Sequence, residues 1–433
     1  MKKSLLALSA IAACGGVQAQ SSVTLFGIVD ASISHYASSG RTNVTTSPIT
    51  GLPTAITVVP SRSQTVLGNG NNASSRFGFR GTEDLGGGYA ASFWLESPIG
   101  NDSGSIESNP VSFNRRSTVS LSGPFGEMRL GRDYTPTYRN NATFDPFGTV
   151  GVGTSAVQQA NGPAAYRTGV LGADANSTRA SNSVAYFLPP DLGGFYGQVM
   201  YAFHENVKQE APVAGTAALT DTASRKGRYI GGWVGYASGP LNVAASYGES
   251  TLGNFSGTLL TGTATAVTAA GIRGAYDAKV KTANIGASWD FDTVKVVGEL
   301  SKRKTEFEQP AAVPAVSDSA DQKGLLVGAL VSVGAGQIKF SYSRVKTTLP
   351  NTIGVIGRIP YPIDTPDPTV SKFAIGYVHN LSKRTALYAT VARVSNRNMA
   401  AQTISPANQA VTMFNGVPNA KATGYDLGVR HTF

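Results

Sequence analysis

The 433-residue chain carries 36 Lys and Arg against 26 Asp and Glu, a formal net charge of +10, with 50 glycines and one cysteine. Beyond the N-terminus it has no run of about 18 apolar residues, which excludes a transmembrane helix, and a single cysteine excludes a disulfide scaffold. Its Lys and Arg are scattered, without the helix, zinc or aromatic-platform motifs that a nucleic-acid binder would need, so no nucleic-acid partner is expected.

At the N-terminus, Lys2 and Lys3 precede an apolar stretch from Leu5 to Ala13, and Val17-Gln18-Ala19 offers a small-x-small cleavage site. This reads as a secretory signal peptide over residues 1–19, leaving one domain over 20–433. Ile11-Ala12-Ala13-Cys14 loosely fits a lipoprotein signal, but a strand begins almost at once at Val23, which favours cleavage after Ala19. Cleavage there removes the only cysteine, and with it thiol chemistry. Losing Lys2 and Lys3 takes the net charge from +10 to +8, so the mature chain stays basic.

The length suggests two or three soluble domains. Abundant glycine, low charge, plentiful Tyr and Phe and a mean hydropathy near zero speak against that. They suit strands with one apolar and one wet face. A closed antiparallel barrel is the non-helical way across a bilayer, because it pairs every backbone N–H and C=O.

Further along, segments of about ten alternating residues recur between turns. Successive side chains of a strand point to opposite faces, so parity sorts them. Leu241, Val243, Ala245 and Tyr247 share one phase. So do Ala283, Ile285, Ala287, Trp289 and Phe291, then Leu325, Val327, Ala329, Val331 and Val333, then Ile338, Phe340 and Tyr342. The last segment sets Tyr425, Leu427, Val429, His431 and Phe433 against Asp426 and Arg430. The segments at Tyr229–Tyr236 and Thr385–Arg393 alternate poorly, and their faces stay unassigned.

Tight turns at Ser238-Gly239-Pro240, Phe291-Asp292, Gly334-Ala335-Gly336 and Leu381-Ser382-Lys383 alternate with longer polar connections. The long ones run over about Ala37–Ala73, Glu205–Lys226, Thr251–Ala278, Thr305–Gln322, Leu349–Val370 and Arg397–Ala422. The tally is 16 antiparallel strands, all-β, with both termini on the short-turn side.

These residues resemble the general diffusion porins of Gram-negative bacteria, particularly the β-proteobacterial branch. The resemblance lies in Ser22-Val23-Thr24-Leu25-Phe26-Gly27-Ile28-Val29-Asp30 and in Ser75-Arg76-Phe77-Gly78-Phe79-Arg80-Gly81-Thr82-Glu83-Asp84-Leu85-Gly86-Gly87-Gly88. It continues through Phe113-Asn114-Arg115, Leu130-Gly131-Arg132-Asp133-Tyr134 and the terminal Phe433. It implies a 16-stranded transmembrane barrel with an inward-folded third loop and a homotrimer in the outer membrane. Lipid, lipopolysaccharide and the barrel-insertion machinery are its implied partners, the last reading Phe433.

By the same resemblance the constriction carries Arg76 and Arg80 on the second strand, Arg115 on the fourth and Arg179 on the sixth. A loop over about Thr135–Thr178 faces them, with Asp145 as its acidic member. Parity supports part of this. Phe77 and Phe79 take the outward phase and leave Arg76 and Arg80 inward; Val184, Tyr186 and Leu188 do the same for Arg179. Arg115 shares parity with Val119 and Leu121, so simple alternation turns it outward.

The expected function is passive diffusion of small hydrophilic solutes and ions, with modest anion selectivity from clustered guanidinium groups. A substrate-specific anion or metabolite channel, or an adhesin or translocator barrel, are the alternatives. No catalytic group, cofactor or metal is expected: the chain lacks G-x-S-x-G, H-E-x-x-H and phosphate-loop patterns. Gly151-Val152-Gly153-Thr154-Ser155-Ala156 lies in a loop without the strand–helix context of a dinucleotide site. His35, His204, His379 and His431 lack ligand spacing.

Overall fold

The computed structural model describes residues 22–46, 53–104, 112–161, 174–205, 225–255, 259–261, 268–270, 276–308, 319–348, 366–398, 400–405 and 419–433. The period-two segments form strands, in this order: β1 (Ser22–Ser38), β2 (Arg41–Thr46), β3 (Pro53–Val59), β4 (Arg62–Asn69), β5 (Arg76–Gly86), β6 (Tyr89–Pro98), β7 (Arg116–Gly123) and β8 (Gly126–Tyr134). Two helices follow, α1 (Pro136–Phe144) and α2 (Ala156–Asn161). Then come β9 (Arg179–Phe187), β10 (Phe195–Ala202), β11 (Tyr229–Ser238), β12 (Leu241–Phe255), β13 (Leu259–Thr261), β14 (Thr268–Ala270) and β15 (Tyr276–Asp290). The wall is completed by β16 (Val294–Glu308), β17 (Ser319–Val333), β18 (Gly336–Thr348), β19 (Thr369–Asn380), β20 (Thr385–Arg397) and β21 (Lys421–Thr432).

Each wall strand pairs antiparallel with its neighbours in the chain, and β21 returns to β1 in register from Ile28↔Thr432 to Ser38↔Ala422. At the seam Gly27 and Phe433 exchange both backbone hydrogen bonds, each 3.1 Å. The result is a closed 16-stranded antiparallel barrel with no free sheet edge at the seam. The second wall strand is split. β4 pairs with the upper half of β1, from Ala31↔Asn69 to Ser38↔Arg62, and β5 with its lower half, from Ser22↔Thr82 to Ile28↔Arg76. Between them Gly70–Ser75 leaves the ladder, and the Asp30 carboxylate accepts the N–H groups of Asn72 (2.8 Å) and Ala73 (2.6 Å).

The expected loops are shorter than the sequence suggests, because several strands run past the apolar band. The segment Ala37–Ala73 holds the β2–β3 hairpin and β4, so it is in part barrel wall. β12 extends to Phe255, and β13 and β14 form a small hairpin within the Thr251–Ala278 connection. β16 and β17 take residues from both ends of Thr305–Gln322. Parity gives little warning here, since polar residues fall on both phases and the inner face of β12 and β15 holds the apolar Leu252, Ala278 and Val280.

The barrel inverts the usual soluble core. Leu25, Leu300 and Leu427 stand on the outward face, 55%, 57% and 59% exposed. The buried apolar cluster lies inside, where Val152, Val157, Leu326, Val345, Val394 and Ile404 pack together. That explains the two strands without clear alternation. On β20 the outward Leu387 and Val391 alternate with inward Ala392 and Val394, which pack with the folded-in segments, and with inward Ala386 and Tyr388, which pack with Val378 of the wall. On β11, Ile230 and Val234 face outward, while inward Tyr229 meets Thr137 of α1.

Candidate pore constriction

The chain leaves β8 at Tyr134 and turns inside the barrel. Pro136, with its fixed φ, opens α1 at a position where its missing N–H costs nothing. Asn284 of β15 anchors this helix: its side-chain amide donates to the Thr137 carbonyl (3.2 Å) and pairs with Asn140 and Asn141. Phe144 lies flat on Gly286, where an added Cβ would sit 2.1 Å from the ring. Phe147 uses Gly376 of β19 in the same way, at 2.9 Å. Only residues without a side chain let the loop backbone come this close to the wall.

Beyond α1 the loop is pinned by backbone groups. The Val152 N–H donates to Asp426 of β21 (2.8 Å) and the Ala156 N–H to Ser343 of β18 (2.8 Å). Asn161 donates to Ser301 of β16 (2.8 Å). A second segment, residues 400–405, covers α2 from above: Gln402 donates to the Ala156 carbonyl (2.9 Å) and Lys372 to the Ile404 carbonyl (2.7 Å). The described part of the loop therefore packs on the inner faces of β11, β12, β15–β19 and β21.

Asp145 belongs to this packing. It is buried, and its two carboxylate oxygens accept the N–H groups of Phe147 (2.9 Å) and Ser155 (3.1 Å), which closes the loop on itself. Burial pushes its pKa up to about 6, against those hydrogen bonds and the nearby charge of Lys372.

The inner faces of β5–β8 carry arginines instead. Register places Arg80 opposite Trp94 and Gly78 opposite Glu96, then Glu96 opposite Arg116 and Ser120 opposite Arg129. Arg76 and Arg80 share the inward phase with these, as parity suggests. Trp94 lies between two cations: the Arg80 guanidinium is 5.2 Å from a ring centroid and that of Arg116 is 4.4 Å. Arg80 also lies 5.4 Å from Phe26, and Arg129 lies 4.1 Å from Phe187. Three carboxylates answer this charge. Glu96 meets Arg115 at 2.7 Å and Arg76 at 3.8 Å. Asp133 meets Arg129 at 2.6 Å, Arg139 of α1 at 2.9 Å and Arg116 at 4.0 Å. Glu127 meets Arg129 at 2.8 Å.

Arg115 and Arg179 sit apart from that row. β7 begins only at Arg116, so strand parity does not govern Arg115, whose side chain turns to Glu96 and to the Tyr134 hydroxyl (3.3 Å). Arg179 donates to the Arg115 carbonyl (2.7 Å) and the Tyr134 hydroxyl (2.8 Å), with its guanidinium 4.4 Å from the Tyr134 ring. An irregularity between Gly131 and Asp133, where Asn182 has φ +56°, resets the phase of β9. Arg179 therefore pairs with Tyr134, whose ring stacks on Tyr138 of the inward helix at 4.9 Å. Sequence reasoning misses Arg116, Arg129, Arg139, Glu96 and Asp133. The signal was present for four of them: the parity that turns Arg115 outward turns Arg116 inward, outward Met128 and Leu130 place Arg129 and Asp133 inward, and outward Phe93 does the same for Glu96.

The family model described as Gram-negative porin matches residues 5–399. The chain is a Gram-negative porin. Outer membrane porin protein 32 of Delftia acidovorans is 34% identical over the whole of both chains, and an outer membrane porin protein of Bordetella pertussis is 28% identical, again over both. Among solved structures, an anion-selective porin from Comamonas acidovorans superposes with a TM-score of 0.68 and 32% identity, covering 96% of this chain and 100% of that one. OmpT of Vibrio cholerae, at 13% identity and a TM-score of 0.58 over 95% of this chain and 98% of that one, shares the fold. This porin accordingly resides in the outer membrane as a multi-pass β-barrel. Its relatives are porins, and the arginine row and the packed loop are two parts of its inner surface.

Proposed function

We propose that the barrel is a water-filled pore for passive diffusion of small hydrophilic solutes and ions with a modest preference for anions, its charged wall being Arg76, Arg80, Arg116 and Arg129. The observation that carries this is the one-sided placement of those guanidinium groups, opposite strands whose inner faces the loop covers. Guanidinium groups stay charged throughout the accessible pH range, and low-dielectric walls focus their potential into the lumen. The Comamonas porin described as anion-selective, similar over almost the whole chain, supports the same sign. Glu96, Glu127 and Asp133 temper the field from within the wall, and Asp145 serves the loop. Arg115 and Arg179, tied together through Tyr134, brace the strand ends where the loop departs.

On the same reading, residues 1–19 are removed on export, and Phe433 presents the terminal aromatic to the insertion machinery as well as closing the seam. The barrel then assembles as a homotrimer among lipid and lipopolysaccharide; the trimer rests on the sequence resemblance. Liposome swelling tests the diffusion mechanism. Rates should fall smoothly with solute size, stay linear in concentration, and be faster for small carboxylates than for amines of equal size. Saturation with one metabolite would replace this reading with a substrate-specific channel.

A further inference from the structure

We propose that the outward face of β16–β18 holds a binding site for the phosphorylated headgroup of a lipopolysaccharide molecule, built on Lys302, Lys323 and Lys346. The site rests on the placement of the barrel among lipopolysaccharide proposed above, and adds where and how the contact is made.

The three lysines form one row across three adjacent strands: Lys302 lies opposite Lys323, and Lys323 opposite Lys346. Phase fixes their direction. Leu300 and Leu325, two residues away on the same face, are exposed to the outside, while the intervening Ser301 and the adjacent Gln322 are buried within. Arg344, opposite Leu325 on the next rung, extends the patch. Like charges directly opposite in a sheet repel and destabilise it. A run of three therefore calls for an anion. The protein supplies part of it at the two ends: Lys302 reaches Asp321 at 3.6 Å and Lys346 reaches Asp367 at 2.8 Å, with the two lysine side chains still 54% and 57% exposed. The central Lys323 has no ion pair among the described residues.

The level of the row selects the ligand. It lies on the long-connection side, eight residues along β16 from Val294 at the short turn. That is about 26 Å of strand, or roughly 20 Å of height at the usual tilt, near the upper limit of the apolar band of such a barrel. Phosphate groups of an outer-leaflet glycolipid lie at this height, and its acyl chains would run down over Leu300, Leu325 and Tyr342. Neighbouring strands are about 4.8 Å apart, so one phosphate can bridge two of the three ammonium groups. A free phosphate ion would use the lysines but not the apolar surface beneath.

The test is titration of the purified, delipidated trimer with bis-phosphorylated lipid A, with dephosphorylated lipid A and inorganic phosphate as comparison probes. Removing one interfacial lysine should weaken binding roughly fivefold. Lys323→Gln should therefore bind about five times more weakly, Lys323→Arg should restore affinity, and Lys302→Gln with Lys323→Gln and Lys346→Gln should lose roughly a hundredfold. Lys383→Gln, in a short turn at the opposite rim, should bind as wild type does. Strand circular dichroism and unit conductance show that each variant is folded; should the triple variant fail that check, the single substitution decides. Equal lipid A binding by wild type and Lys323→Gln would overturn this site and leave the lipid partnership standing. No binding by wild type would overturn both. Inorganic phosphate binding as tightly as lipid A, with the same losses in the variants, would make this a free-anion site and overturn the assignment to lipid.

Discussion

Trp94 shows how this pore holds cations without surrendering them. Arg80 and Arg116 lie over its ring system, so both guanidinium groups are oriented by an aromatic surface and keep their full charge for the lumen. Each such contact is worth about 0.5–1 kcal/mol at exposed sites, enough to bias a rotamer and too little to neutralise an ion. Replacing Trp94 by Leu should leave the charge count unchanged and loosen both arginines. Single-channel records of Trp94→Leu should then show broader open-state noise, with anion preference reduced by less than deleting either arginine reduces it. Asp145 couples folding to protons. Its folded pKa of about 6 lies above the ordinary carboxylate value, so the folded protein binds more protons than the unfolded chain between about pH 6 and 4. Asp145 therefore subtracts from stability above pH 6, and that loss is recovered as pH falls through 6 towards 4. Thermal melts across pH 4–7 should show a steeper gain on acidification for wild type than for Asp145→Asn; parallel curves would remove Asp145 as the source.

At the scale of elements, the inward loop is a packed layer held by side chains of the wall. Phe144 on Gly286 is its firmest test, because a valine there would push its Cβ into the ring. Overpacking of this kind costs about 1–3 kcal/mol. Gly286→Val should lower the melting temperature and change unit conductance by displacing α1 from β15; a trace identical to wild type would contradict the packing. Asp426→Asn, which weakens the acceptor for the Val152 N–H, should raise gating noise with little change in stability. Much of this level was legible beforehand. Period-two segments with Ile285, Leu325 or Leu427 on the outward phase read directly as wall strands, because lipid imposes a single chemistry on that face. The inner face answers to two neighbours, water and the folded-in loop. Where the loop lies, inward Val394 and Ala392 are as apolar as outward Val391, and alternation fails. Arg76 and Arg80 were readable from Phe77 and Phe79. For Arg179 the parity count along β9 crosses the irregularity at Asn182, so alternation alone does not fix its direction, and its place beside Arg115 and Tyr134 comes from contacts. Asp145 was visible as the loop's carboxylate, but which groups its oxygens meet depends on contacts ten residues away, at Ser155.

For the whole molecule, closure and charge asymmetry matter most. Ladder pairing from β1 through β21 and back to Gly27–Phe433 leaves the seam without an open edge, which suits a structure without disulfides. The lumen then has the arginine row on one side and the packed loop on another, with Lys339 and Arg430 lining further space near Asn72. At about 0.1 M salt the Debye length is roughly 10 Å, comparable with a narrow pore, and near 1 M it is about 3 Å. Any selectivity arising from the arginine row should therefore fade as salt is raised. Reversal potential in planar bilayers under a salt gradient tests this account most directly. Wild type should give an anion-favouring potential that shrinks at high salt, and the combined Arg76→Gln, Arg80→Gln, Arg116→Gln and Arg129→Gln variant should bring it to zero or to the cation side. A cation-favouring wild type, or a variant as anion-selective as its parent, would contradict the assignment of selectivity to that wall.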